Sequence, residues 1–173
     1  LEEREQNKKA KRGELNPLNL ITNVPLVASL SVSFVAQFGF GMFIGVFSLY
    51  AEAVLFKGAA ESAVNYGVGL LLMVVGVAQF ITQIAILPRA IKRFSDPMIV
   101  IIGLILRAAS MGIYYIALGP IAAAVANIFF AMGSGVMMPP LQSLATKTVA
   151  PQLKGGILGV YQSVINLAVI FST

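Results

Sequence analysis

VPLVASLSVSFVAQFGFGMFIGVFSLY, residues Val24 to Tyr50, carries no charged side chain and is long enough to cross a bilayer as one helix. About 20 apolar residues, rising 1.5 Å each, match ~30 Å of hydrocarbon. Four further stretches have the same character: Tyr66 to Pro88, Pro97 to Ala117, Pro120 to Thr146 and Gly155 to the end. A soluble fold does not repeat that length five times in 173 residues. The pattern predicts an all-α membrane protein, a polytopic helical bundle over residues 21–173. Its five transmembrane helices are expected at about 24–50, 66–88, 97–117, 120–146 and 155–173. The mixed-charge segment before them, residues 1–20, reads as a cytoplasmic linker that cannot bury a core.

Composition agrees. Apolar residues make up 58% of the chain and charged residues 11%, against about 25% charged in a soluble domain. The net charge of +5 is a membrane-topology signal and not a nucleic-acid footprint, because of where the cations lie. Arg4, Lys8, Lys9, Lys11 and Arg12 precede the first helix. Arg89, Lys92 and Arg93 join the second to the third, and Lys147 and Lys154 join the fourth to the fifth. The opposite connections hold only Lys57, beside Glu52 and Glu61. By the positive-inside rule the basic side, with the N-terminus, is cytoplasmic, and the expected location is the plasma (inner) membrane. With no Cys and no His, the chain has no disulfide and none of the usual zinc or haem ligands; no metal and no cofactor is expected. The same absence removes Ser–His pairs and thiol nucleophiles, which argues against an intramembrane enzyme.

Local signals punctuate the helices. Asn16-Pro17 and Asn23-Val24-Pro25 supply a turn and a cap with Pro in the first helical turn, and Ser95-Asp96-Pro97 does the same for the third helix. Gly119-Pro120 is a tight outer turn, and Ala150-Pro151 breaks the chain before the fifth helix. The chain opens on Leu1 and stops at Ile170-Phe171-Ser172-Thr173, within an apolar stretch. It is expected to be a fragment of a larger polytopic protein.

Polar side chains are costly in hydrocarbon, so their positions are informative. The first helix carries Ser29, Ser33, Gln37, Gly41 and Gly45. The second carries Gly69, Gly76, Gln79 and Gln83, the fourth Asn127, Ser134, Gly135 and Gln142, and the fifth Gly155, Gly159, Gln162 and Asn166. Spacings of three and four place each set on roughly one face. Two readings stand side by side. The small residues, Gly41, Gly45, Gly155 and Gly159 above all, let helices approach and the amides join them; or the amides line a water-filled path. Arg107 lies ten residues beyond Pro97, ~15 Å into the bilayer at 1.5 Å per residue. It is expected to face the interior, at the depth of Gln79. In the fourth helix Gly133-Ser134-Gly135 and Pro139-Pro140 read as a break or kink that suits a bending gate.

The run Met132-Gly133-Ser134-Gly135-Val136-Met137-Met138-Pro139-Pro140-Leu141-Gln142-Ser143-Leu144-Ala145, then Pro151, then Lys154-Gly155-Gly156-Ile157-Leu158-Gly159-Val160-Tyr161-Gln162-Ser163, resembles the tenth and eleventh helices of major facilitator superfamily transporters. The likeness is to the drug-exporter branch that includes the tetracycline antiporters. On that likeness the five helices are the seventh to eleventh of a twelve-helix major facilitator fold, and its missing N-terminal half is the chief partner besides the lipid bilayer and a small-molecule substrate. The loop Leu87 to Asp96 corresponds loosely to the family's Gly-x-Leu-Ala-Asp-Arg-x-Gly-Arg-Arg motif: Arg89, Lys92 and Arg93 keep its basic character, Lys92 stands where the acid would be and Ser95 replaces Gly. The resemblance implies alternating access about a midplane site, with the first and fourth helices lining the cavity and Gln37, Asn127, Ser134 and Met138 as the leading substrate contacts; Ser33, Gln79, Gln83, Gln142, Gln162 and Asn166 complete the substrate-pathway candidates. It also makes the third helix a peripheral support and Arg107 a structural residue. The function implied is proton-coupled efflux by a secondary antiporter. A non-transporting receptor or scaffold on the same fold is the alternative.

Overall fold

The structure, a computed structural model, describes residues 22–172. The linker expected over residues 1–20, its Asn16-Pro17 turn included, lies outside the described residues. Six α-helices follow: α1 (Val24–Tyr50), α2 (Glu61–Ile81), α3 (Leu87–Arg93), α4 (Asp96–Ile116), α5 (Pro120–Lys147) and α6 (Lys154–Ser172). π-helical turns extend α1 over Ala51–Leu55 and join α2 to α3 over Thr82–Ile86, so five continuous rods are long and apolar enough to cross a membrane.

Caps and prolines set most of the ends. Asn23 accepts the Leu26 amide at 3.2 Å and donates to the Thr148 carbonyl at 3.1 Å, capping α1 in the way short polar side chains do. Ser95 has the extended backbone of a cap, but its side chain makes no capping bond; Asp96 and Pro97 in the first turn favour the start instead. Gly58 is the one described residue with positive φ, +80°, where the chain turns back from the first rod towards α2. Gly supplies that conformation without a Cβ penalty.

Two expectations need correction. The second rod begins at Glu61 and runs through Pro88 to Arg93, five residues beyond its expected end at Pro88. The π-helical turn ends just before Pro88, so Pro88 occupies the first turn of α3, where its missing N–H interrupts no bond within that helix. The fourth rod has no break: α5 is helical from Pro120 to Lys147 with Pro139 and Pro140 inside it. The two prolines still remove donors, so the carbonyls of Gly135 and Val136 lose their usual helical partners.

The described residues divide into two compact units, one combining 22–41 with 141–172, the other spanning Met42–Pro140. In the second unit Phe47, Ala51, Leu55, Leu71, Tyr114, Ala123 and Ala126 form the core. Phe43 lies with its ring centroid 5.2 Å from Tyr114 and 5.3 Å from Phe130, distances typical of favourable aromatic pairs. Backbones approach closely where α4 meets α5. A Cβ added to Gly133 would stand 2.6 Å from the Gly103 carbonyl oxygen, and one on Gly103 would stand 2.7 Å from that of Gly133. On the next face of α5 a Cβ at Gly135 would meet the Thr82 side chain at 3.0 Å. The Gly-Ser-Gly run is thus a two-sided packing node.

Other glycines differ from expectation. Gly41 packs on Ser172, but Gly45, Gly155 and Gly159 meet nothing within 4 Å among the described residues. Packing glycines lie where another helix crosses, and helical spacing alone does not say where that is.

Candidate functional site

In the first unit Ser33 is fully buried. Its hydroxyl donates to the Ser29 carbonyl at 2.8 Å and shares a hydrogen bond with the Tyr161 hydroxyl at 3.2 Å. Tyr161 belongs to the buried face of α6 with Ile157 and Ala168. The exposed surface of α6 is mixed: Leu158, Leu167, Val169, Ile170 and Phe171 are apolar, and polar side chains stand among them. Gln162 and Asn166 are both exposed, and the Gln162 amide donates to the Asn166 carbonyl oxygen at 3.0 Å. Ser163 is exposed beside them and donates to the Gly159 carbonyl. Gln162 lies ~12 Å and Asn166 ~18 Å along the helix from Lys154, which spans the middle of the hydrocarbon. Gln142, on α5, is likewise exposed, and Gln37, on α1, is half-buried.

In the second unit Asn127 is 0% exposed. Its amide donates to the Leu71 carbonyl at 2.8 Å, and its carbonyl oxygen accepts the Tyr114 hydroxyl at 2.5 Å. One side chain of α5 therefore joins α2 and α4. Tyr50 donates between the Tyr114 and Ala117 carbonyls, 3.0 Å from each, and Ser110 donates to the Ala126 carbonyl at 2.8 Å. Asn127, a substrate-pathway candidate, is enclosed and joined by its two bonds to α2 and α4. Ser134 is buried, Met138 and Gln79 half-buried and Gln83 exposed.

Arg107 turns towards α5. Its guanidinium carbon stands 4.7 Å over the Phe130 ring centroid, within cation–π range, and its stem crosses α5 at Gly133, where an added Cβ would lie 2.9 Å from the Arg107 Cγ. Arg89, Lys92 and Arg93 are exposed on α3, with Arg89 donating back to the Ala85 carbonyl.

Tyr50, Tyr114 and Tyr161 are hydrogen-bonding anchors that the sequence alone did not single out as such. Their signal was available: a tyrosine buried in an apolar helix needs a partner for its hydroxyl.

The polar groups thus fall into two kinds. Some close on other helices, and the amides of Gln162 and Asn166 remain open on a helix face at mid-depth. An open amide pair in hydrocarbon is costly; bordering a water-filled path, it can donate to and accept from a passing solute. Substituting either by Leu is expected to leave stability unchanged or raised, while lowering apparent solute affinity about tenfold, the loss of one hydrogen bond. Thermal unfolding and flux titrations on the same preparations check both.

A family model described as Major Facilitator Superfamily matches residues 1–173. No curated protein and no solved structure matches the chain.

Proposed function

Because the chain belongs to the Major Facilitator Superfamily, a family of small-solute transporters, we infer that this integral membrane protein is a proton-coupled exporter of small drug-like solutes working by alternating access. The five rods are the seventh to eleventh of twelve. Residues 1–20 are the end of a central cytoplasmic linker, residues 21–173 part of the C-terminal bundle, and the other half of the site comes from an N-terminal bundle of the same polypeptide. The asymmetry of ten basic residues against Lys57 alone supports a cytoplasmic N-terminus, and the membrane proposed is the plasma membrane.

The observation that carries this reading is the exposed Gln162–Asn166 amide pair on α6, bonded at 3.0 Å and placed at mid-depth. Transporters of this architecture bind solute near the midplane between their repeats, and an amide pair suits neutral or cationic solutes with hydrogen-bonding groups. Proton coupling needs a titratable group in the path. Within the described rods the acids Glu52, Glu61 and Asp96 stand at helix ends, and Arg107 stays protonated at any relevant pH. The reading therefore places the coupling carboxylate in the N-terminal bundle.

The test is flux in inside-out membrane vesicles carrying the full-length protein, offered a panel of lipophilic cations and zwitterionic drugs under an imposed proton gradient. Accumulation that a protonophore abolishes, and that Asn166→Leu weakens, is the expected result. Absence of gradient-driven flux for every compound overturns the efflux reading. Undiminished flux in Asn166→Leu removes the amide pair from the path.

A further inference from the structure

We propose that the groove between α2 and α5, together with the basic turn of α3 at its end, holds one anionic phospholipid from the leaflet on that side, with an acyl chain in the groove and the headgroup among Arg89, Lys92 and Arg93. The groove is a cleft of about 390 Å³ lined on α2 by Met73, Val77 and Ile81, on the π-helical turn after it by Ile86, and on α5 by Ile128 and Met132. Thr82, the one polar side chain in its wall, is satisfied by donating to the Ala78 carbonyl at 2.7 Å. The groove therefore offers hydrocarbon contact and no hydrogen bonds.

Ile86 also lines a second cleft, of about 490 Å³, whose wall includes Arg89, Lys92, Arg93 and Phe94. The apolar groove thus leads into a cationic bowl. None of the three acids among the described residues, Glu52, Glu61 and Asp96, lines either cleft. Length puts each part at the matching depth. The rod from Glu61 to Arg93 has 33 residues, ~50 Å at 1.5 Å per residue, against ~30 Å of hydrocarbon. Its basic end therefore reaches the headgroup layer while Val77 stays among the acyl chains.

Charge decides the occupant. Hydrocarbon contact alone does not select a lipid, because lipid tails are already in an apolar medium. Basic pockets beside membrane helices select anionic headgroups. A soluble anion would leave the groove unfilled, and a protein segment would have to bring acids to meet three cations.

The chain contains no Trp, so Val77→Trp, at a half-exposed groove position, gives a local probe. The full-length variant is reconstituted with a small fraction of acyl-brominated phosphatidylglycerol or, in parallel, of equally brominated phosphatidylcholine. The expected result is about tenfold stronger apparent binding of the anionic quencher. The preference should be absent at Ile105→Trp on the exposed face of α4. It should be lost with Arg89→Gln, Lys92→Gln and Arg93→Gln combined, weakened by Lys92→Gln alone, and kept by Lys92→Arg and by Lys147→Gln with Lys154→Gln. Equal quenching by both lipids overturns the proposal, since the groove then holds bulk lipid. Quenching by neither overturns it as well, since protein then covers the groove. So does loss of the preference on adding soluble glycerol phosphate, which marks a free-anion site.

Discussion

Replacing Gly133 with Leu is expected to abolish folding of the protein in detergent, and Gly133→Ala to destabilise it by about 1–3 kcal/mol. Besides the Arg107 Cγ at 2.9 Å, an added Cβ would meet the Gly103 carbonyl oxygen at 2.6 Å and the Arg107 backbone nitrogen at 3.0 Å. The last two belong to the backbone of α4, so neither can turn away as a side-chain tip would, and relief requires the two helices to separate. Separation would also loosen the Arg107–Phe130 contact, since the Arg107 stem crosses α5 at the same glycine. Gly103→Ala meets the Gly133 carbonyl oxygen at 2.7 Å and should behave alike. Because both substitutions open one crossing, their effects should add to less than the sum. Gly112→Ala, on the same α4 but with nothing within 4 Å, should cost nothing. Thermal or denaturant unfolding of the four purified variants checks the set. Wild-type stability for Gly133→Ala would mean that the α4–α5 crossing is wider than described.

Asn127→Ala should destabilise the protein by about 2–3 kcal/mol, mainly because it strands the buried Tyr114 hydroxyl. Interhelical hydrogen bonds in membranes average only ~0.6 kcal/mol. Asn127 exceeds that average because it makes two bonds, at 2.8 and 2.5 Å, and is wholly enclosed, so truncation also leaves a cavity. Removing both partners costs less than removing one. Asn127→Leu with Tyr114→Phe should therefore recover most of the stability that Asn127→Leu loses. For whatever fraction folds, the apparent solute affinity should be unchanged. The pairing of unfolding curves with flux titrations separates a joint from a contact: lowered affinity at wild-type stability would return Asn127 to the solute path.

The contrast between Asn127 and Asn166 shows how far the residues speak for themselves. Both are amides within apolar helices, on stripes of similar spacing, and the same argument of cost in hydrocarbon singled out both. One is closed by a tyrosine hydroxyl and a backbone carbonyl from two other helices. Among the described residues the other is answered by Gln162, one turn away on its own helix. Periodicity defines a face; what that face meets depends on residues far away in the chain, Leu71 and Tyr114 for Asn127.

Membrane character, five crossings and the uneven placement of basic residues were determined by the sequence alone. Length, hydropathy and charge are properties of single segments, and the bilayer acts on each segment separately. Tertiary structure decided which polar groups close and which stay open, which glycines are crossing points, and how the second rod passes Pro88. Those depend on atoms brought together from distant segments, or, at Pro88, on a change of hydrogen-bond register one turn earlier. Gly103 and Gly133 look like Gly112 in sequence, and only the 2.6–2.7 Å that a Cβ would be allowed at their crossing sets them apart.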